Sequence, residues 1–187
     1  MPRPPSIEIP GGLFHVFTRS SAGRFILPQD DDRATLLELI ERTCSRYGWL
    51  CHSYCLLFSH YHLLITTPKP NRSRGMQWLN GLYGAIFNER HAAHGHVFGA
   101  RYAAVHVKSD AHLLWLVAYL AMNPVLAGIR SDPAEWRWSS YPALIGRAPV
   151  GFLQLGEVLR LFGFDPDEAR QRIEQFVAGD PFATIAA

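Results

Sequence analysis

The chain has 187 residues, 48% of them hydrophobic, 12% aromatic and 18% charged, with a formal net charge of +2 at pH 7. That length holds one well-buried core with an appendage and is short for two independent domains, and the composition excludes a disordered chain. The three cysteines, Cys44, Cys51 and Cys55, are an odd number without a CxxC spacing, which argues against a disulfide framework or a cysteine zinc site and for a reducing compartment, the cytoplasm.

The opening MPRPPSIEIPGG lacks the apolar core of a signal peptide and reads as a proline-rich lead-in. Residues 13–19 (LFHVFTR) form an aromatic and β-branched run, hence a first strand. Asp30, Asp31 and Asp32 supply an N-cap and acidic first turn for a helix with Leu36, Leu37, Leu39, Ile40 and Thr43 on one face, closed by Gly48. Strands at 50–57 and 60–66 are joined so tightly across Phe58 and Ser59 that a hairpin is expected, and Pro68 and Pro70 end it. A second helix over 73–91 carries Met76, Leu79, Leu82, Tyr83, Ile86 and Phe87 at helical spacing, and a strand over 102–107 follows the Gly95 loop.

Residues 111–129 contain no Asp, Glu, Lys or Arg, a stretch close to the length of a membrane span. Asn123 and Pro124 interrupt it, so the expectation is a buried helix ending at Met122 or Asn123 and no membrane segment. Beyond it, EWRWSSY at 135–141 reads as irregular chain packing the tail against the domain. Two short helices, 154–162 and 166–178, come last, the second with Asp165 as N-cap, Pro166 at N1, Glu168 at N3 and Gly179 past its end. The order strand-helix-strand-strand-helix-strand-helix predicts an α+β fold, a ferredoxin-like or RRM-like sandwich with helices on one face of a mostly antiparallel sheet and a helical C-terminal tail.

Charge is unevenly placed. Between Lys69 and Lys108 six basic residues face one acid, Glu89, with four histidines interspersed, whereas from Gly151 onward six acids face three arginines. The first segment is a candidate nucleic-acid surface and the tail is not. On a strand His60 and His62 project to the same side, where two imidazoles can share a metal. The motif alone is weak, because His94 and His96 repeat it in a glycine loop. Tyr119 and Asn123, four apart, share a helical face and can present a hydroxyl and an amide oxygen together. Taken by themselves they read more simply as a core aromatic and a C-terminal cap.

The blocks YCLLFSHYHLLITTPKP, RGMQWLNGLYGAIFNERH, GHVFGARY, LLWLVAYLAMNPVLAGI and EWRWSSYPALIG, in this order, closely resemble the single-tyrosine HUH transposases, in particular the REP-associated tyrosine transposase group. The resemblance covers nearly the whole chain, with 1–150 as the endonuclease and transposase domain and 151–187 as a helical tail packed on it. It implies a divalent metal held by His60, His62 and Asn123, with Tyr119 as the nucleophile. The implied activity is metal-dependent nicking of single-stranded DNA and strand transfer through a covalent 5′-phosphotyrosine, at hairpin or palindromic DNA. Two imidazoles, an amide oxygen and open positions suit Mn²⁺ or Mg²⁺ better than a closed zinc site.

Arg19, Arg72, Arg74, Trp78, Arg101 and Tyr102 are the candidate DNA contacts. The sequence departs from its relatives at Ser59, where asparagine is usual, and at Gly99, Ala100 and Ala103, where a polar group and a basic contact are usual. The alternatives are a domesticated, non-catalytic module that grips DNA or RNA hairpins, and a metal-dependent hydrolase using water. Relatives act as dimers exchanging the tyrosine helix or place it in cis, so either a monomer or a homodimer is compatible.

Overall fold

The computed structural model describes residues 8–20, 24–179 and 181–182, so most of the N-terminal lead-in, residues 1–7, lies outside the described residues. Strand β1 (Gly12–Arg19) is followed by α1 (Asp30–Tyr47), the hairpin β2 (Leu50–Leu56) and β3 (His60–Thr67), α2 (Arg72–Arg90) and β4 (Ala103–His106). Then come α3 (Asp110–Leu126), a 3-10 turn (Pro133–Glu135), α4 (Tyr141–Leu144), α5 (Gly156–Leu159) and α6 (Pro166–Ala178). The four strands form one sheet in the order β2-β3-β1-β4, and every neighbouring pair is antiparallel. This is the α+β class expected from the element order.

Strand alternation divides the sheet into two faces with different work. Val16, Thr18, Tyr61, Leu63 and Ile65 face α1 and α2, and Tyr61 and Thr18 both hydrogen-bond Asn80 of α2. Leu36, Leu39 and Ile40 of α1 and Met76, Leu79 and Tyr83 of α2 close the core on that side, each at most 2% exposed. His15, Phe17, His60 and His62 point the other way, where α3 lies across them. The helices are therefore not all on one face: α1 and α2 share one, while α3 takes the opposite face, the one that carries the histidines.

Three local features differ from the sequence expectation. The N-cap of α1 is Gln29, one residue before the aspartates, because Asp32 sits at N3 and turns its carboxylate back to accept the Gln29 amide at 3.2 Å. Helix α3 passes through Pro124 and ends at Leu126. Proline removes one hydrogen bond only, near the end of a 17-residue helix, and Ala127 N–H and Ile129 N–H close the turn on Asn123 and Pro124 carbonyls. Residues 141–144 form the short α4, which was not expected and begins at the last residue of the stretch read as irregular. Helix α6 starts as expected, with the Asp165 carboxylate accepting the amides of Asp167 and Glu168.

The outer edge of β2 is sealed by residues 136–140 and by the start of the tail. Leu56 N–H donates to Trp138 O, Ser140 N–H to Tyr54 O, and Gln154 N–H to Cys51 O, each at 2.8 to 2.9 Å. The Trp136 indole N–H adds a bond to Leu56 O at 3.0 Å. An edge strand's unpaired backbone groups are thus satisfied within the chain. Leu153, Val158, Ile173 and Val177 join the same core as the sheet.

His52 belongs to this seam: one ring nitrogen meets Gln154 O at 2.8 Å and the other Thr66 Oγ1 at 2.9 Å. Burial lowers its pKa, against the opposing pull of the Gln154 carbonyl and Glu157. Below the unfolded value of about 6.5 the unfolded chain takes up a proton that the native ring resists. The contribution to stability is complete above that pH and is lost as pH falls through 6.5 towards the folded pKa, at no more than about 1.4 kcal/mol per pH unit. Urea unfolding at pH 7.5 and 5.5 should show a smaller loss for His52→Gln than for the parent, and equal losses would remove His52 as a contributor.

Close packing of α2 depends on Gly75. A Cβ placed there would lie 2.2 Å from the ring of Trp49, which is itself fixed by its indole bond to Asn71 at 2.8 Å. Gly75→Ala should therefore destabilise by about 1 to 3 kcal/mol in chemical denaturation, despite the better helix propensity of alanine.

Candidate active site

The hairpin places His60 at the first position of β3 and His62 two residues on, in register with Arg19 and Phe17 of β1. The His60 Nδ1 lies 3.1 Å from Ser59 Oγ, so the residue that departs from the usual asparagine still holds this ring. Its other edge meets Asn123 of α3. Burial lowers the His60 pKa, the Arg19 cation adds to this, and the Asn123 side chain, accepting from the ring, opposes it. The His62 Nδ1 is 2.9 Å from His15 Nε2, while His62 Nε2 is buried and has no hydrogen-bond partner among the described residues. Burial first, then the neighbouring His15, His60 and Arg19, push the His62 pKa down to about 2, and burial pushes that of His15 to about 4. Both rings are neutral at physiological pH, the state in which imidazole is a ligand.

Helix α3 brings Tyr119 onto this pair. Its ring meets His62 edge-to-face with centroids 5.4 Å apart, approaches His15 at 6.2 Å, and stacks on Trp115 at 4.8 Å. Asn123 is 5% exposed and donates its side-chain N–H to Tyr119 O at 3.1 Å, which leaves the amide oxygen for His60. Tyr119, His60, His62 and Asn123 are thus gathered from two elements on the histidine face.

Residues 12–123 match the family model described as "Transposase IS200 like", more than half of the chain. The chain belongs to the IS200-like transposase family. No curated protein sequence matches it. Among solved structures, a REP-associated tyrosine transposase bound to a REP hairpin aligns with a TM-score of 0.67 at 16% identity, over 83% of this chain and 90% of that one. A candidate transposase from Deinococcus radiodurans R1 aligns with a TM-score of 0.45 at 12% identity, over 70% of this chain and 97% of that one. At such identity the first likeness shows the fold, which is that of the REP-associated group.

The candidate DNA contacts of this transposase separate into two sets. Arg19, Arg74 and Arg101 are exposed, and Tyr102 is half-buried with its hydroxyl 3.1 Å from Ser73 Oγ. Arg72 is corrected: it is 2% exposed, with its guanidinium 3.8 Å from the Phe14 ring centroid, so it packs the sheet against α2. Trp78 is corrected as well, since it lies between α1 and α2 near Tyr47, with Arg42 and Arg46 over its ring, away from the histidine face. Basic or aromatic side chains near a helix start look alike in sequence whichever way they turn. His15 and Trp115 escape sequence reasoning because they reach the site only through β1–β3 pairing and the α3 surface.

Proposed function

We propose that this IS200-like transposase is a metal-dependent single-stranded DNA endonuclease and strand transferase that works through a 5′-phosphotyrosine on Tyr119. The observation that carries the reading is the buried His62 Nε2, without a hydrogen-bond partner among the described residues, on a ring that meets Tyr119 edge-to-face. A buried ring nitrogen without a partner is costly unless something else meets it, and a divalent cation fits. Among the described residues no three His, Cys, Asp or Glu side chains converge on a metal, so a third protein ligand has to be a neutral oxygen. The Asn123 side chain, hydrogen-bonded to His60, supports its amide oxygen as that ligand. Bound to these three, Mn²⁺ or Mg²⁺ would polarise the scissile phosphate.

The remaining work falls to the chain's own groups. His15, against His62 Nδ1, and Ser59, against His60 Nδ1, orient the two ligand rings. Trp115 fixes the plane of Tyr119 by stacking. The Tyr119 oxygen attacks phosphorus, its proton passes to solvent, and the bond to the 3′ oxygen breaks as that oxygen takes a proton from solvent to leave a 3′-hydroxyl. The ester keeps the phosphodiester energy for rejoining to another 3′ end. Tyr119 meets the His62 of its own chain, which supports action in cis, as a monomer or within a homodimer. The hairpin in the solved REP-associated structure supports hairpin DNA as substrate. The free cysteines, all buried, support a reducing cytoplasm, and no helix among the described residues is long and apolar enough to cross a membrane.

Incubation with hairpin-bearing single strands and Mn²⁺, followed by denaturation and peptide mass mapping, should recover DNA attached to Tyr119. Binding without any adduct would instead make the protein a hairpin-gripping module.

A further inference from the structure

On the opposite side of β4 from the histidines, a cleft of about 800 Å³ opens between α2 and the segment 96–102. Its volume is that of a small-ligand site. Arg74, His96 and Arg101 line it, and among the described residues no acidic side chain does. Tyr102 and Phe98 supply aromatic surface, and Gln77 is an exposed side-chain amide with no hydrogen bond to a described residue. Cations for phosphates, rings for stacking and a free amide for an edge are the groups that hold a splayed nucleotide.

The helix wall of the cleft contains Gly81, and a Cβ added there would meet nothing within 4 Å. Glycine is the least favourable residue apart from proline inside a helix. Packing does not demand it here, in contrast to Gly75 against Trp49. Its effect is to keep the cleft open.

A second cavity of about 440 Å³ shares Gly99, Ala100 and Arg101 with the first and continues to Phe17 and Arg19. Arg19 is the register partner of His60. The saddle between cleft and site is thus built of the two smallest side chains in the segment. A strand with its scissile phosphate at the histidines can pass Arg19, cross Gly99 and Ala100, and reach the cleft.

We propose that this cleft receives one unpaired nucleobase from the strand being cut, stacked on Tyr102 and read at its edge by Gln77. The proposal rests on the single-stranded DNA reading above and adds the element that selects its sequence. Asn80 is wall only, since its amide oxygen is already engaged by the Tyr61 hydroxyl.

The test is binding, in EDTA so that nothing is cleaved, to a pool of hairpin oligonucleotides carrying randomised single-stranded flanks, followed by sequencing. The parent should favour a particular base at one flank position. Gly81→Leu should melt at or above the parent temperature yet bind at least about tenfold more weakly, with that preference gone. Gln77→Ala should flatten the preference at the same position and no other. Gly81→Ala, a smaller filler, should melt higher and lose affinity to a lesser degree. Parent-like affinity and preference in both Gly81→Leu and Gln77→Ala would overturn the proposal, as would a parent that binds no member of the pool. If the variants behave as expected but Mn²⁺ yields no Tyr119 adduct, the catalytic reading fails and the base pocket stands. If adducts form and both Gly81→Leu and Gln77→Ala keep the parent's affinity and preference, the pocket fails and catalysis stands.

Discussion

Tyr119→Phe is expected to abolish the covalent DNA adduct and to lower nicking and strand transfer by at least about a thousandfold, while leaving hairpin binding within about twofold of the parent. The substitution removes one oxygen and keeps the ring, so the stack on Trp115 at 4.8 Å and the edge-to-face contact with His62 at 5.4 Å survive. Stability should therefore stay within about 1 kcal/mol of the parent. That separation matters, because a merely structural Tyr119, whose ring contacts the phenylalanine keeps, would give an unchanged reaction. Cleavage that persists in the phenylalanine variant without an adduct would identify water as the nucleophile and discard the phosphotyrosine.

The second large effect is expected from His62→Ala, read as the difference between melting temperatures with and without Mn²⁺. A ligand at about a hundred times its Kd stabilises the native state by about 2.7 kcal/mol, so the parent should show a clear rise. The variant should show none and should lose adduct formation. Its stability without metal is less informative, since the change deletes a partnerless nitrogen and the His15 contact while opening a cavity at a position 2% exposed. The metal-dependent difference avoids that ambiguity. Asn123→Ala should reduce the same difference, because it removes the amide oxygen beside His60. A full Mn²⁺ shift in His62→Ala would place the metal elsewhere.

Much of the fold was legible because its signals were local. The β2–β3 hairpin follows from two apolar runs meeting at Phe58 and Ser59, and α6 from Asp165, Pro166 and Glu168 at its start. What was not legible depended on partners distant in the chain. Pro124 announces a helix end, yet the next turn closes on the carbonyls of Asn123 and Pro124 and carries α3 to Leu126. Arg72 looks like a phosphate contact until the Phe14 ring is found beneath it. The histidine pair was visible as alternation in one strand, but His15 becomes its neighbour only through the β1–β3 register, and no spacing in the sequence encodes that. The helix pair Tyr119 and Asn123 was legible as a shared face; that α3 crosses the sheet on the side opposite α1 and α2 was not.

The seam along β2 has a practical corollary for anyone wishing to shorten the protein into a compact cutting tool. A version ending at residue 150 would strip the Cys51 carbonyl and the His52 ring of their Gln154 partners and uncover core shared with Val158, Ile173 and Val177. The acidic tail, although remote from the tyrosine in sequence, adds its bonds to those of Trp136, Trp138 and Ser140 on the hairpin that presents both histidines. Miniaturisation from this end would slacken the geometry of the candidate site before it removed a single residue of it.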